Sequence, residues 1–189
     1  MERSSGILLP ISALPSPHGI GALGREAYAF ADFLRSAGQK YWQLLPLGPT
    51  SYGDSPYQSF STFAGNPYFI DLDLLAEDGL LTSGDLDNVR WGDAPRSIDY
   101  GRIYESRFAV LRKAFRAGYP RDEAAVASFR QENPWLDNYA LYMAVKSHFG
   151  MKSWLDWPDE DIRLRKPEAV QRYSRDLAED TAFYTYLQY

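Results

Sequence analysis

The chain has 189 residues, of which 45% are hydrophobic and 24% charged, a composition that permits a well-packed globular domain and excludes a disordered chain. Its formal net charge of −5 at pH 7 disfavours a nucleic acid or an anionic membrane as partner, because both require a clustered positive surface. With no cysteine and only two histidines, the sequence predicts no disulfide, no thiolate chemistry and no metal site. Aromatic residues make up 15%, and their flat apolar faces favour a ligand that also has flat faces.

The N-terminal segment predicts no targeting or membrane element. Its short apolar run is interrupted by Pro10 and is too short for the core of a signal peptide or for a membrane span. Since cysteine is also absent, we expect a cytoplasmic protein with an intact N-terminus.

The first part of the chain predicts a βαβ unit. Residues 6–11 are wholly apolar, which is typical of a strand buried on both faces. Apolar residues then recur at helical spacing from Arg25 to Ala37, and Gly38 is placed to close that helix. A second apolar run, residues 41–45, predicts another buried strand parallel to the first.

Beyond Pro67 the pattern changes and predicts mainly helices. A first short helix is expected to be capped by Asp73 and to end at Gly79. The other predicted elements are an extended piece at 66–72, a helix over 104–117 ended by Gly118 and Pro120, a buried helix opened by Asn133 and Pro134 and reaching about Phe149, and an apolar stripe from Pro167 to the end. That stripe has no cap, which predicts that the sequence ends within an element.

Several motifs have both a structural explanation and a functional alternative. Gly19–Gly24 matches G-x-G-x-x-G, but seven residues with two prolines separate it from the strand, so a dinucleotide site is rejected. Asp71 and Asp73 would share one face of an extended segment as paired carboxylates, although capping already explains Asp73. Trp42 and the stretch Trp154–Trp157 favour packing over sugar platforms, because they lie in apolar runs.

The loop SYGDSPYQSFSTFAGNP, residues 51–67, combines aromatic and hydroxyl side chains without Leu, Ile, Val or a basic residue. A loop that only connects two elements does not need this combination. A pyranose ring does, since its C–H faces stack on aromatic planes and its hydroxyls bind short polar side chains. Loops after parallel strands share one face, so residues 12–23 and 48–67 are predicted to form one carbohydrate-binding surface.

The segments SALPSPHGIGALG, YWQLLPLGPT and especially this loop closely resemble the N-terminal part of the amylomaltases, the 4-α-glucanotransferases also called disproportionating enzymes. The resemblance continues in order through IDYGRIYESR and NPWLDNYALYMAVK. It implies an α/β fold, the N-terminal part of a (β/α)₈ TIM-type barrel of the α-amylase kind with a mainly helical inserted subdomain. It also implies transfer of α-1,4-glucan segments between maltooligosaccharides with retention of configuration, without a metal or another cofactor.

The resemblance further implies that the barrel is incomplete in this chain. The family uses an Asp nucleophile, a Glu acid/base and a supporting Asp, all expected beyond Tyr189, and a barrel typically needs about 250 residues. We therefore expect no catalytic residue here and no activity of the chain alone. The expected organisation is two β/α units over 1–66, the helical subdomain over 67–166, and a helix over 167–189 that leads back toward the missing strands.

The resemblance also implies binding residues, at the positions that match the family's motifs. They belong to two sites: a wall that binds the donor sugar, and a second glucan site beside it. In the wall, Ser55 is expected to hydrogen-bond to the sugar and Tyr57 to stack on it. Asp54, Gln58 and Asn66 are further candidates for the wall. Tyr52 and Tyr104 are the candidates for the second site. Asp54 is expected mainly to hold the loop by accepting backbone N–H groups.

Two other interpretations remain open. One is a complete, non-catalytic glucan-binding module, which a stop codon after Tyr189 would favour over an open frame. The other is a fragment that persists by oligomerising through the exposed strand edges of an incomplete barrel. In the favoured interpretation the partners are a maltooligosaccharide or glucan and the rest of the barrel, with no nucleic acid and no membrane.

Overall fold

The structure, a computed structural model, describes residues 3–50, 54–93 and 96–189. By its internal contacts the chain divides into two compact units, Met1–Ala117 and Gly118–Tyr189. The strands and α-helices of the described residues are β1 (Gly6–Leu8), α1 (Arg25–Ser36), β2 (Tyr41–Gln43), α2 (Leu72–Glu77), α3 (Ser83–Asp87), α4 (Tyr100–Glu132), α5 (Leu136–His148), α6 (Glu160–Arg163), α7 (Pro167–Asp176) and α8 (Ala178–Gln188). Short 3₁₀ helices lie at Ile11–Ala13, Pro67–Phe69 and Trp154–Asp156.

A βαβ unit opens the first compact unit, which confirms the predicted topology. β1 pairs with β2 in parallel, with Ile7 opposite Trp42. The connecting helix α1 ends at Ser36, close to the predicted end. Gly38 follows with φ 70°, the left-handed conformation that favours glycine after a helix.

The core of this unit lies where α1 meets the strands. Phe30 of α1 packs edge-on against Trp42 of β2, with ring centroids 4.8 Å apart. The Trp42 indole N–H donates to the carbonyl of Leu9 at 2.8 Å, and Ile11 and Ala27 are buried in the same cluster. Trp42 is therefore a packing residue, as the sequence favours.

The prediction that both strands are buried on both faces is wrong for this chain. Leu8 and Tyr41 lie on the face opposite to Trp42, and they are 54% and 64% exposed, so the described residues leave that face uncovered. The predicted strand over 6–11 is also shorter, ending at Leu8. Pro10 has no N–H to donate to a ladder, and the chain turns into a 3₁₀ helix directly after it.

The segment that follows the long loop begins with a capped turn. The Asn66 side chain accepts a hydrogen bond from the N–H of Tyr68 at 3.0 Å, which starts the 3₁₀ helix Pro67–Phe69. The extended piece predicted at 66–72 is therefore wrong, because an asparagine followed by proline caps a helical turn at this position.

The next helix, α2, is capped by Asp71 and not by Asp73 as predicted. The Asp71 carboxylate accepts a hydrogen bond from the N–H of Leu74 at 2.9 Å. Asp73 instead lies 2.9 Å from the Nε2 atom of His18. The two carboxylates thus have separate structural partners, which argues against the paired-carboxylate alternative. Gly79, with φ 74°, follows the end of the helix as predicted.

α4 runs from Tyr100 to Glu132, through Gly118 and Pro120, both of which were predicted to end it. Proline removes one backbone hydrogen bond from a helix, but the residues that follow, RDEAAVASFRQE, are mostly strong helix formers. The division between the compact units falls between Ala117 and Gly118. The Gly-Tyr-Pro segment therefore marks a boundary between units and not the end of a helix.

The second unit has its core around α5, which confirms the predicted buried helix. Leu136 and Ala140 are both 0% exposed. The helix begins at Leu136, later than the predicted cap at Asn133. The Asn133 side chain is used differently, since it accepts from the Trp135 indole N–H at 3.1 Å and donates to the Phe129 carbonyl at 2.8 Å.

The C-terminal apolar stripe forms two helices, α7 and α8, and not the single helix predicted over 167–189. The chain bends between them at Leu177, whose φ of −112° and ψ of 31° are not helical. Phe183, Tyr184 and Leu187 of α8 are buried, so the apolar stripe is used for packing as its periodicity predicts.

The two compact units do not divide the chain at the boundaries predicted from the sequence. The predicted organisation over 1–66, 67–166 and 167–189 refers to a complete barrel and its insertion, and it stays a prediction. None of the helices in the described ranges combines the length and the apolar character that crossing a membrane requires.

Trp154 and Trp157 provide a matched pair of substitutions, because Trp154 is 46% exposed and Trp157 only 5%, although packing was predicted for both. We expect Trp157→Ala to lower the free energy of unfolding by about 3–5 kcal/mol, since a lost buried indole leaves a cavity. Trp154→Ala should cost less than about 1 kcal/mol. Urea unfolding followed by circular dichroism measures both, and equal losses would contradict the difference in burial.

Asp71→Ala removes the cap of α2 and should lower the free energy of unfolding by about 0.5–2 kcal/mol. Asp71→Asn keeps an acceptor for the Leu74 N–H and should lose clearly less. The same unfolding measurement compares the two variants. If both lose equally, the contribution of Asp71 lies in its charge and not in the cap.

Candidate functional site

A cavity of about 190 Å³ lies at the carboxyl ends of β1 and β2. Ser12 and Ile20 line it from the loop after β1, and Thr50, Asp54 and Pro56 line it from the loop after β2. The two loops therefore meet at one face, as the parallel strands predict. Ligand pockets typically measure about 300–1,000 Å³, so the volume of this cavity suits one ring-sized group and not a longer ligand.

Backbone hydrogen bonds hold the two loops together. The Asn66 N–H donates to the carbonyl of Leu47 at 2.8 Å, within the loop after β2. The Leu23 N–H donates to the carbonyl of Phe69 at 2.8 Å, which connects the loop after β1 to the same segment. The walls of the cavity are thus tied to each other by main-chain bonds and do not depend on side-chain packing alone.

Asp54 is a carboxylate on the cavity wall with an uncommon backbone conformation. Its φ is 57°, a left-handed conformation in which Asp and Asn are the most frequent residues after glycine. Burial raises the pKa of its carboxyl group above the usual range. Residues in sparsely populated conformations cluster at ligand sites, so Asp54 is a candidate for both the loop-holding role predicted from the sequence and direct contact with a ligand.

Two tyrosine hydroxyls accompany this carboxylate. Burial raises the pKa of Tyr68 and of Tyr100, and the negative charge of Asp54 raises both further. Both hydroxyls therefore stay protonated near neutral pH, so each can donate a hydrogen bond on the wall that also carries the Asp54 carboxylate. No Lys or Arg is among the described residues that line the cavity, so the wall suits a neutral ligand that carries hydroxyls better than an anion.

Ser55, Tyr57 and Gln58 form a tight turn beside the cavity. The Ser55 Oγ accepts from the Tyr57 N–H at 3.4 Å, and the Ser55 carbonyl accepts from the Gln58 N–H at 3.1 Å. Tyr57 is 74% exposed and directly follows the lining residue Pro56. Stacking of a sugar on this exposed ring stays a prediction, as does hydrogen bonding by Ser55, which also has a role within the turn.

Other serines of the loop hold the loop itself. The Ser59 hydroxyl donates to the Ser61 carbonyl at 2.7 Å, and the Ser61 Oγ accepts from the N–H groups of Phe63 and Ala64 at 3.3 and 3.1 Å. At Gly48 an added Cβ would lie 2.6 Å from the Ser59 Oγ. The internal structure of the loop therefore explains part of its hydroxyl-rich composition.

The remaining candidates lie at different distances from the cavity. Asn66 lines it, but its side-chain oxygen already accepts from the Tyr68 N–H. Tyr104 of α4 does not line it, and its ring lies 5.4 Å from Phe108, which lies 6.2 Å from the ring of Tyr68. Tyr52 lies outside the described residues, so its pairing with Tyr104 in a second glucan site stays a prediction.

Sequence reasoning missed Tyr68 and Tyr100 as wall residues. Tyr68 was assigned to an extended piece with no role, and Tyr100 stands before the residues whose helical spacing was recognised. Both lie in aromatic segments, NPYFIDL and IDYGRIYESR, that already carry the resemblance. Both lie far along the chain from the end of β2 at Gln43, so these aromatic segments were the one local signal that pointed to them.

The glycine motif after β1 has a packing explanation. An added Cβ at Gly21 would lie 2.0 Å from the carbonyl oxygen of Ile11, and one at Gly24 would lie 1.7 Å from the carboxylate of Asp71. The glycines permit close approach of the loop to its neighbours, which agrees with the rejection of a dinucleotide site. In the described parts of the chain, no three His, Asp or Glu side chains converge as metal ligands would.

Known proteins resemble the chain over its whole length. The profile of the 4-alpha-glucanotransferase family matches residues 9–189. A 4-alpha-glucanotransferase from Clostridium butyricum is 52% identical over 180 residues, which cover 95% of this chain and 37% of the relative. Another, from Thermus thermophilus, is 45% identical, with 100% of this chain and 38% of the relative covered.

Solved structures agree with the sequence matches. An amylomaltase from Streptococcus agalactiae in complex with acarbose has a TM-score of 0.96 and 44% identity, with 100% of this chain and 38% of that chain covered. An amylomaltase from Corynebacterium glutamicum shares the fold at 20% identity, with a TM-score of 0.70 over 98% of this chain and 26% of that chain. The chain spans less than two fifths of the length of these relatives, and its fold is that of part of an amylomaltase. With a family profile that matches nearly every residue, the chain belongs to the 4-alpha-glucanotransferase family.

Proposed function

We propose that the full-length protein is a 4-α-glucanotransferase that transfers α-1,4-glucan segments between maltooligosaccharides by a retaining double displacement. In this proposal the first two β/α units of a (β/α)₈ barrel lie in residues 1–66 and form one wall of a glucan groove. Family membership supports the activity, and the complex of the Streptococcus agalactiae amylomaltase with acarbose supports a glucan-like ligand.

The observation that carries the proposal is the cavity at the carboxyl ends of β1 and β2, with the exposed ring of Tyr57 beside it. Parallel α/β folds bind ligands at this end of their strands. A sugar ring in the cavity would exchange hydrogen bonds with Asp54, Tyr68 and Tyr100, which together offer an acceptor and two donors. The next ring of a maltooligosaccharide would then stack on Tyr57.

The proposal places the reacting carboxylates in the remainder of the protein. Retaining transfer requires two carboxyl groups about 5–5.5 Å apart, one as nucleophile and one as acid/base. Asp54 is the one carboxylate among the described lining residues, so this wall alone does not supply such a pair. The chain therefore contributes binding, and the rest of its own barrel contributes the chemistry.

The cellular setting is part of the same proposal. A chain of 189 residues without cysteine and with a net charge of −5 suits a reducing compartment and a neutral substrate. We place the reaction in the cytoplasm, in the metabolism of starch-derived maltooligosaccharides.

The activity is tested by incubating the full-length protein with maltotriose and separating the products by chromatography. Glucose together with maltooligosaccharides longer than the substrate is the expected result, because a segment removed from one molecule is attached to another. The 189-residue chain alone should form neither product. Glucose and maltose without longer products would indicate hydrolysis and contradict transfer. Acarbose binding without any turnover of maltotriose would favour the glucan-binding module.

Tyr57→Ala in the full-length protein should lower kcat/KM for maltotriose by about 5- to 150-fold, which corresponds to the roughly 1–3 kcal/mol of a lost ligand contact. Tyr57→Phe keeps the stacking face and should retain most of the activity. Tyr28→Ala is the matched control, since Tyr28 is a similarly exposed tyrosine on α1 outside the cavity. Unchanged kinetics of Tyr57→Ala would remove Tyr57 from the groove.

A further inference from the structure

Arg107 of α4 is a buried charged residue that has no role in the proposed function as described so far. Its side chain is 0% exposed. Its Nη2 group donates to the backbone carbonyl of Ile70, whereas its Nε and Nη1 atoms form no hydrogen bond to the part of the chain that the structure describes. Burial lowers the pKa of the guanidinium to about 10, against the opposing effect of the Asp71 carboxylate, so the group remains charged near neutral pH.

Stability alone does not explain a charge at this position. Transfer of an ion from water into a protein interior is costly, and replacement of buried ionic groups by apolar residues is often neutral or stabilising. Arg107 has no ion pair in direct contact among the described residues, and it satisfies only part of its donors. The burial and incomplete pairing of Arg107 therefore suggest a role other than raising the free energy of unfolding.

The segment that Arg107 contacts, residues 66–71, is hydrogen-bonded to both loops that line the cavity and begins α2. Its first residue, Asn66, bonds to the loop after β2 through the carbonyl of Leu47. Its Phe69 carbonyl accepts from Leu23 of the loop after β1. Its last residue, Asp71, caps α2. Asn66, Tyr68 and Phe69 of the segment line the cavity, so a displacement of this segment would move both loops and three lining residues together.

We propose that Arg107 is a positioning residue of the glucan groove, which sets the place of residues 66–71, and thereby of the Tyr68 hydroxyl, by holding the Ile70 carbonyl from behind. This inference rests on the proposed function. Arg107 does not line the cavity among the described residues, so it acts through the wall and not by touching the sugar. A backbone carbonyl held by a buried, charged donor has little freedom to move, and groups that support a site in this way commonly affect ligand affinity.

The test uses steady-state kinetics of the full-length protein with maltotriose, together with its melting temperature. Arg107→Met should raise KM by about tenfold or more, because a small displacement of the wall weakens its contacts with the substrate, while kcat per folded molecule changes by less than about threefold. A role in stability alone would lower the melting temperature and reduce the folded fraction, but it would leave KM unchanged.

Two further variants keep the test decisive. Arg107→Lys retains a charge but has one ammonium in place of the planar guanidinium, so its KM should lie between those of the wild type and Arg107→Met. Arg116→Met, an exposed arginine on the same helix, is the control and should keep the wild-type KM. If Arg107→Met does not fold, the KM of Arg107→Lys becomes the deciding measurement. A raised KM supports the proposal, and the wild-type KM overturns it.

Failure of the proposed function would be visible separately. If the wild-type protein transfers no glucan, the activity assignment fails whatever the arginine variants do. Calorimetric titration with acarbose then replaces kinetics. Weaker binding by Arg107→Met or Arg107→Lys, with Arg116→Met unchanged, supports the positioning role, and equal binding by all of them overturns it.

Discussion

The parallel pairing of β1 with β2 is the constraint on which the site depends. Because both strands run in the same direction, their carboxyl ends lie side by side, and the loops that follow them meet. The cavity forms where they meet, with Ser12 and Ile20 from one loop and Thr50 and Asp54 from the other. An antiparallel pair would place these loops at opposite ends of the strands. The 66–71 segment then closes the arrangement, since it is hydrogen-bonded to both loops.

The loop after β2 contains two kinds of residue: some stabilise the loop by internal hydrogen bonds, and others expose their side chains to solvent. Ser59 and Ser61 bond to the backbone of the loop, whereas Tyr57 and Phe63 are 74% and 71% exposed. An oligosaccharide loses conformational freedom when it binds, so a wall that is already ordered reduces the total cost of association. In the proposed glucan groove, the internal hydrogen bonds of the loop would therefore favour binding without contacting the ligand.

The sequence predicts well what depends on local periodicity and on the shared face of parallel strands. The βαβ topology and the position of Gly38 follow from short windows of residues. Capping at Asp71 in place of Asp73 could not be predicted, because two aspartates two residues apart carry the same local signal, and the contact of Asp73 with His18 spans 55 positions. The continuation of α4 through Pro120 depends likewise on helix formers beyond the proline. The wall tyrosines are brought to the cavity by tertiary contacts that periodicity does not report.

The order of charges around Tyr68 agrees with the neutral ligand of the proposed function. Asp54 faces the cavity and raises the pKa of Tyr68, after the larger effect of burial, whereas Arg107 lies behind the wall and lowers it. An anionic ligand would meet the Asp54 carboxylate first, at a surface without a lining cation among the described residues. A cationic ligand would pair with Asp54 but would leave the tyrosine donors without an acceptor. A polyhydroxyl ligand would satisfy both kinds of group, because each hydroxyl donates and accepts, so in the proposed function the arrangement of charges contributes to specificity together with the shape of the cavity.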